Sequence, residues 1–398
     1  MTMLLEPYRV LDATGPLGYL TGKILGDLGA DVVKVEPPGG DPSRQWPPLI
    51  REGDRLPESL SWLACNVNKR EIQLDLETDR GRRWFRSLAE KADIVLETFP
   101  PGRLDEWGLG YEVLRKDNPG LILVSITPFG QGGPYVDFLA SDLEIMALGG
   151  VMSLTGEEGG EPMRVTVPAA PMWAGAEAAM GALTALVHRT MTGRGQRVDV
   201  SAQVAAMAAV AHAPIYWDLN RENPERSGIF MTGRTLTGAR MRVMWPCQDG
   251  WINFIIYGGP AGRHTNRELV RWMAERDMAP AWLEEKDWST FTVPKLTQEE
   301  IDKLEAPILA FMATITKRQF YERVLDRGML GYPVATAKEI HQDPQLKERN
   351  FWQDVRVPGS ERTLRFPGGF AIVNGKRLQV RVPAREPNEE VEKGERRR

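Results

Sequence analysis

Over the first 130 residues, brief apolar runs alternate with longer stretches patterned as helices, and few folds accommodate that alternation. Residues 9–12, 31–35, 92–96 and 121–126 read as short buried strands. Between the first two, Leu17, Leu20, Thr21, Ile24, Leu25 and Leu28 recur at helical spacing, and Gly29 ends the stripe. Ile72, Leu74 and Leu76 alternate with polar residues as in a further strand. A strand, a helix and a strand in repeated order close most simply as a parallel, doubly wound sheet. The expected fold class is therefore α/β, with a Rossmann-like large domain over residues 1–224. Its first turn, Ala13-Thr14-Gly15-Pro16-Leu17-Gly18, does not make a dinucleotide fingerprint, because Pro16 removes an amide and the glycines are wrongly spaced. Those glycines read as a tight strand-to-helix turn.

Texture changes near residue 225. Residues 241–255 read as a hairpin turning at Asp249-Gly250, followed by helical stretches over 298–311 and 317–327. This predicts a smaller domain over 225–330. From Gly331 the chain returns to loops and short strands, and Glu389 to Arg398 form a mixed-charge tail.

A net charge of −4 gives no long-range attraction to nucleic acid or anionic membrane. No stretch approaches the roughly 20 apolar residues of a membrane span, and the N-terminus is too short and acidic for a secretory signal. Cys65 and Cys247 lack metal-ligand spacing, and His188, His212, His264 and His341 are scattered. The expectation is a cytoplasmic protein with reduced thiols, no metal and no nucleic-acid or membrane partner.

A set of motifs then occurs in order: Lys34-Val35-Glu36-Pro37-Pro38-Gly39-Gly40-Asp41-Pro42-Ser43-Arg44, Asn66-Val67-Asn68-Lys69-Arg70, Glu97-Thr98-Phe99-Pro100-Pro101-Gly102, Thr127-Pro128-Phe129-Gly130-Gln131-Gly132-Gly133-Pro134 and Asp343-Pro344-Gln345-Leu346. A small-residue helix after Pro171 exits through Thr192-Gly193-Arg194-Gly195-Gln196. With these motifs the chain resembles the class III CoA-transferases, also called CaiB/BaiF-like, the family of formyl-CoA and carnitine CoA-transferases and the α-methylacyl-CoA racemases. The resemblance implies that residues 331–398 rejoin the large domain and that two open-ring chains interlock as a dimer. It implies CoA thioesters as substrates, with no bound cofactor. It also implies covalent catalysis, in which an Asp attacks the acyl-CoA thioester and an enzyme-bound CoA thioester is resolved by the acceptor acid.

In the family that Asp stands four residues before the glycine matched by Gly175. Here the slot is Pro171, which has no nucleophile. Further departures accompany it: Thr98 replaces an Asn before the adenine-stacking Phe99, Glu106 replaces a base near the CoA phosphates, and Ala140 replaces a lysine. The loop over residues 231–238 carries only Gly233 and Gly238. This pattern resembles the Asp-lacking subunit of a heteromeric transferase that draws on succinyl-CoA and serves anaerobic aromatic degradation. The expected partners are an Asp-bearing paralogous subunit, acyl-CoA and a carboxylic acid, with an aromatic dicarboxylic acid as candidate.

Asp142 is the fallback catalytic carboxylate, opposed by a reading in which it caps its own helix or contacts CoA. Racemisation needs two acid–base groups, and Ser141 stands where that branch has histidine. Arg44, Lys69 and Arg70 are candidate phosphate ligands, with solvated surface charge as the alternative. Phe99 is the candidate adenine contact. Trp46, Trp62, Trp173 and Trp217 are read as core before acyl pocket. A homodimeric acyl-CoA enzyme using Asp142 and an acyl-CoA-binding scaffold without turnover remain the alternative functions.

Overall fold

In the computed structural model, which describes residues 3–50, 58–356 and 362–384, six strands form one parallel sheet. Chain order gives β1 (Arg9–Ala13), α1 (Tyr19–Asp27), β2 (Asp31–Glu36), β3 (Lys69–Gln73), α2 (Asp79–Ala89), β4 (Ile94–Glu97), β5 (Ile122–Thr127), α3 (Asp142–Leu148), α4 (Ala170–Thr192), β6 (Arg197–Ser201) and α5 (His212–Asn220). The spatial order is β3-β2-β1-β4-β5-β6, the doubly wound arrangement whose direction of winding reverses between β1 and β4. Strand β3 ends earlier than the alternation of Ile72, Leu74 and Leu76 suggested. Leu74 and Leu76 leave the strand and still pack into the apolar cluster beside it. The charged tail from Glu389 lies outside the described residues.

Helix α4 reaches the sheet so closely because its inner face is built of small residues. Ala174, Ala178, Ala182 and Ala185 are fully buried at helical spacing. At Gly175 a Cβ would lie 2.8 Å from the Leu20 Cβ of α1, and Thr21 Oγ1 donates to the Gly175 carbonyl at 3.0 Å. The glycines of the exit motif have separate causes. Gly193 closes the helix in the left-handed region at φ 73°. At Gly195 a Cβ would fall 1.8 Å from the Leu121 carbonyl oxygen.

Three adjacent strands share a buried ionic cluster. Asp12 of β1 lies 2.8 Å from Lys69 Nζ of β3 and 3.9 Å from Lys34 Nζ of β2, and all three are essentially inaccessible. Lys69 also donates to the Tyr19 carbonyl and to Asn66 Oδ1, each at 2.9 Å. Burial opposes the Asp12 carboxylate, but the two ammonium groups outweigh it and hold this carboxyl below its ordinary range. Burial pushes the Lys34 ammonium down despite Asp12.

The chain separates into two compact units, one of Met1–Met152, Arg164–Glu222 and Pro344–Arg398, the other of Ser153–Met163 and Asn223–Asp343. In the first, Asn68 ties the C-terminal segment to the start of β3, its Oδ1 accepting from Arg381 N at 2.6 Å and Val382 N at 3.1 Å. The second unit holds β7 (Met244–Cys247), β8 (Gly250–Asn253), α6 (Gln298–Met312), α7 (Lys317–Arg327) and β9 (Tyr332–Pro333). The hairpin loop is Gln248-Asp249, since Cys247 pairs with Gly250, one residue earlier than expected. Capping boxes at Thr297/Glu300 and Thr316/Gln319 start α6 and α7. Trp245, Phe254, Trp272, Phe311 and Phe320 fill that unit's core.

Because α1 and α4 touch at Gly175, Gly175→Val is expected to lower stability by about 1–3 kcal/mol, read as a lower urea midpoint at unchanged slope. An unchanged midpoint would mean that the helix contact is not tight.

Candidate functional site

A cavity of about 490 Å³ opens at the carboxyl ends of β1 and β4, where the winding reverses. The sheet places its floor by a few hydrogen bonds. Asp12 Oδ1 accepts from Thr14 N and Oγ1, and Lys34 Nζ donates to the Thr14 carbonyl. Gly15 N then donates to Thr98 Oγ1 at 2.6 Å, which clamps the turn after β1 to the turn after β4. Phe99 lines the cavity and meets the Trp107 ring edge-on, centroids 5.1 Å apart. Phe99 N donates to Glu97 Oε2 at 2.7 Å. Burial at the end of β4 raises the Glu97 carboxyl to about 7, against the hydrogen bonds that favour its charged form.

The cavity wall is acidic. Asp41, Asp75 and Glu77 line it beside Glu36, whose charge is met by Arg44, and Arg103 is the one cation among the described lining residues. Arg103 is itself 3.1 Å from Glu106. Two like charges 4 Å apart in water repel by about 1 kcal/mol, and by more where solvent is excluded.

Of the residues assigned to CoA by sequence, only Phe99 is at this cavity. Arg44 is not a solvated charge: Nε and Nη2 each donate to Glu36 at 2.7 Å, and the guanidinium lies 4.2 Å over Trp62. Lys69 has no exposed surface, and its ammonium is committed to Asp12, Tyr19 and Asn66. Arg70 pairs with Asp31 at 2.8 Å, and Asp31 opens β2, at the end of the strands away from the cavity. The tryptophans divide: Trp62 is core, Trp173 packs partly buried against the core, and Trp46 and Trp217 are exposed.

Pro171 falls in the first turn of α4, where a missing N–H costs no helical hydrogen bond. Asp142 stands beside that turn, its Oδ1 accepting from Ala169 N at 2.8 Å and Ala170 N at 2.9 Å. The capping expectation is thereby corrected in its target. Asp142 caps α4, while its own helix α3 is capped by Ser141 in a box with Glu144. The first turn of α4 thus holds a carboxylate that satisfies its amides.

In the second unit, the loop over residues 231–238 is tied down to its own end and to the segment around residues 294–296. Thr235 Oγ1 donates to the Ala239 carbonyl at 3.1 Å, Thr237 Oγ1 to Leu296 at 2.8 Å, and Leu236 N to Pro294 at 2.7 Å. Among the described residues no group of three His, Cys, Asp or Glu side chains is placed to hold a metal ion, and no helix is long and apolar enough to cross a membrane. The roles of Glu97 and of the Asp12–Lys34–Lys69 cluster escaped the sequence reading. The signal was available for Asp12, Lys34 and Glu97, each a charged residue in a run otherwise patterned for burial.

Fold and cavity define an α/β protein that presents a ligand cleft at the switch point of a doubly wound sheet. The chain belongs to CoA-transferase family III, which it matches over residues 5–390. It is 35% identical over 364 residues to BbsE, a succinyl-CoA:(R)-benzylsuccinate CoA-transferase subunit of Thauera aromatica, covering 89% of this chain and 86% of that one. It is 40% identical over 375 residues to a succinyl-CoA:mesaconate CoA-transferase of Haloarcula marismortui, covering 92% and 88%. Among solved structures, a CaiB/BaiF family protein from Brucella suis superposes with a TM-score of 0.81 at 27% identity, covering 98% and 97%.

Removing the α4 cap in Asp142→Ala should lower stability by about 1 kcal/mol, with Asp142→Asn retaining most of it; equal stability of all three proteins in urea would refute the capping role. Glu97 sets a pH dependence. Its carboxyl titrates near 7 when folded and near 4.5 when unfolded, so between those values only the unfolded chain gives up the proton, and stability falls as pH rises. Glu97→Gln escapes that loss, and its stability relative to the native chain should rise by about 2 kcal/mol from pH 5 to pH 8. A difference independent of pH would show that Glu97 does not hold its proton.

Proposed function

We propose that this chain is the non-catalytic subunit of a heteromeric class III acyl-CoA:carboxylate CoA-transferase, acting with an Asp-bearing paralogue. The carrying observation is the first turn of α4, where the family's nucleophile slot is Pro171 and the free amides are taken by Asp142. Loss of a nucleophile costs on the order of 10⁶ in rate where such losses have been measured, and no rotamer of proline replaces a carboxylate. The acidic cavity supports the same reading, because CoA carries several phosphates and the lining carboxylates repel them.

In this reading the sister chain supplies the Asp that forms the acyl anhydride and then the enzyme-bound CoA thioester. The names of the relatives support succinyl-CoA as donor and an organic dicarboxylic acid as acceptor. BbsE, named as a subunit of a benzylsuccinate enzyme, supports an aromatic acceptor and a multi-chain assembly. An interlocked pair of rings is the assembly we infer. Exposed apolar surface supports a large interface: no residue of α5 is buried, Ile215 and Leu219 are 62% and 77% exposed, and Met180, Val187 and Met191 of α4 are equally open.

The rival reading gives a homodimer its chemistry through Asp142, whose carboxylate stands at the same helix start. The two part in one experiment. Purified alone, this chain should transfer no CoA from succinyl-CoA to a panel of dicarboxylic acids. Co-expressed with an Asp-bearing paralogue, it should give transfer and a one-to-one heteromer in native mass spectrometry that survives dilution. Turnover by the isolated chain that is lost in Asp142→Ala would establish the rival. Separate homodimers in the co-expressed sample would end the heteromer reading.

A further inference from the structure

The first unit holds a second cavity, of about 770 Å³, whose charge is opposite to that of the first. Its walls come mostly from the C-terminal segment: the end of α8 (Pro344–Glu348), β10 (Trp352–Arg356), which pairs with β11 (Thr363–Pro367), and the small hairpin of β12 (Ile372–Val373) and β13 (Lys376–Arg377), together with Met3 and Leu4. Asn374 and Gly375 turn that hairpin with φ of 49° and 74°, the left-handed pair that a two-residue loop needs. The turn delivers Lys376 and Arg377 side by side in sequence to the cavity.

Four cations line this space, Arg349, Lys376, Arg377 and Arg381, against the single carboxylate of Glu348. None of the four has a carboxylate partner among the ion pairs of the described residues. Arg377 is held in place by carbonyls instead. Its Nε donates to Arg349 O at 2.8 Å and its Nη1 to Gly369 O at 2.9 Å, while Phe351 lies 5.5 Å beneath the guanidinium. Arg381 is anchored in the same way on the Gly26 carbonyl. Carbonyl anchors fix the direction of a guanidinium without cancelling its charge. Burial, and then the neighbouring Arg349 charge, push the Arg377 guanidinium below its ordinary value. Like charges are thus gathered around a void of ligand size with apolar wall from Trp352 and Ile372.

We propose that this cavity is a binding site for a small multivalent oxyanion, a polycarboxylate or a phosphate compound, received by Arg349, Lys376 and Arg377. The anion supplies the negative charge that the surrounding side chains lack, and planar guanidinium forks match carboxylate and phosphate oxygens in pairs. The site stands apart from acyl transfer, and it holds or fails whatever the chain contributes to that reaction.

Calorimetric titration of the full chain with citrate and, separately, with inorganic pyrophosphate at constant ionic strength tests this. One saturable site per chain is expected for at least one of them. The tighter ligand identifies which source of oxyanion the site prefers. The double variant Arg349→Gln/Lys376→Gln should weaken binding at least about tenfold with an unchanged circular dichroism spectrum. Arg318→Gln, an exposed cation of the second unit, should leave it unaltered. Glu348→Gln removes the opposing carboxylate and should tighten binding severalfold, an effect that damage to the fold would not produce. Absence of saturable binding for both anions, or native affinity in the double variant, would overturn the proposal. Should the double variant fail to fold, unchanged affinity in Glu348→Gln would overturn it equally.

Discussion

The contact among Asp12, Lys34 and Lys69 holds the large unit's ligand face in register. Each strand of β3-β2-β1 contributes one charge to a single dry cluster, so a sliding strand would strand an ion without its partner. Breaking a buried pair costs about 3–5 kcal/mol, whereas replacing the whole group by apolar residues is often neutral. Such a cluster is therefore better explained by specificity than by stability. Here its specific consequence is visible in the turn after β1. Asp12 and Lys34 take the Thr14 amide, hydroxyl and carbonyl, and Gly15 is then presented to Thr98. Even α1 conforms, since a Cβ at Gly22 would lie 2.1 Å from Asp12 Oδ2.

That arrangement shapes a cleft at the switch point whose wall is acidic. The doubly wound sheet, the clamp between the two turns and the Phe99–Trp107 edge contact are all present. Glu77, Asp75 and Asp41 nonetheless face the space, and Arg103 is drawn to Glu106. The hydrogen bonds that shape the cleft are made by Asp12, Lys34 and Thr98, and its charge is set by other residues. At α4, proline suits the first turn of a helix, and Asp142 supplies the acceptor for the amides, so the helix start is well formed.

The sheet was legible because its strands are continuous apolar runs and its helices have one apolar stripe, patterns that tertiary contacts seldom override. The candidate site was legible in part. Phe99 was named through the family resemblance, and it does line the cleft, because its motif directly follows the end of β4. Lys69 and Arg70 could not be placed, since adjacent residues of a strand point to opposite faces. Lys69 turned to the buried cluster, and Arg70 to the surface beside Asp31. Nothing in the spelling of two neighbouring cations says which of them is dry. The setting of Arg44 was hidden for a related reason, its partner Glu36 being eight positions away and its stacking surface Trp62 farther still.

Asp142 shows how a local rule can be right in kind and wrong in object. Its position at a helix start argued for capping, yet the serine before it caps that helix, and the carboxylate reaches 27 residues onward to Ala169. Long-range capping of this sort couples two segments that sequence reading treats separately. It also bears on what position 171 has to do for the fold. With the first amides of α4 satisfied from α3, no side chain at position 171 is needed to cap them. The constraint that remains at 171 is conformational, a φ suited to a first helical turn, and proline meets it better than aspartate does.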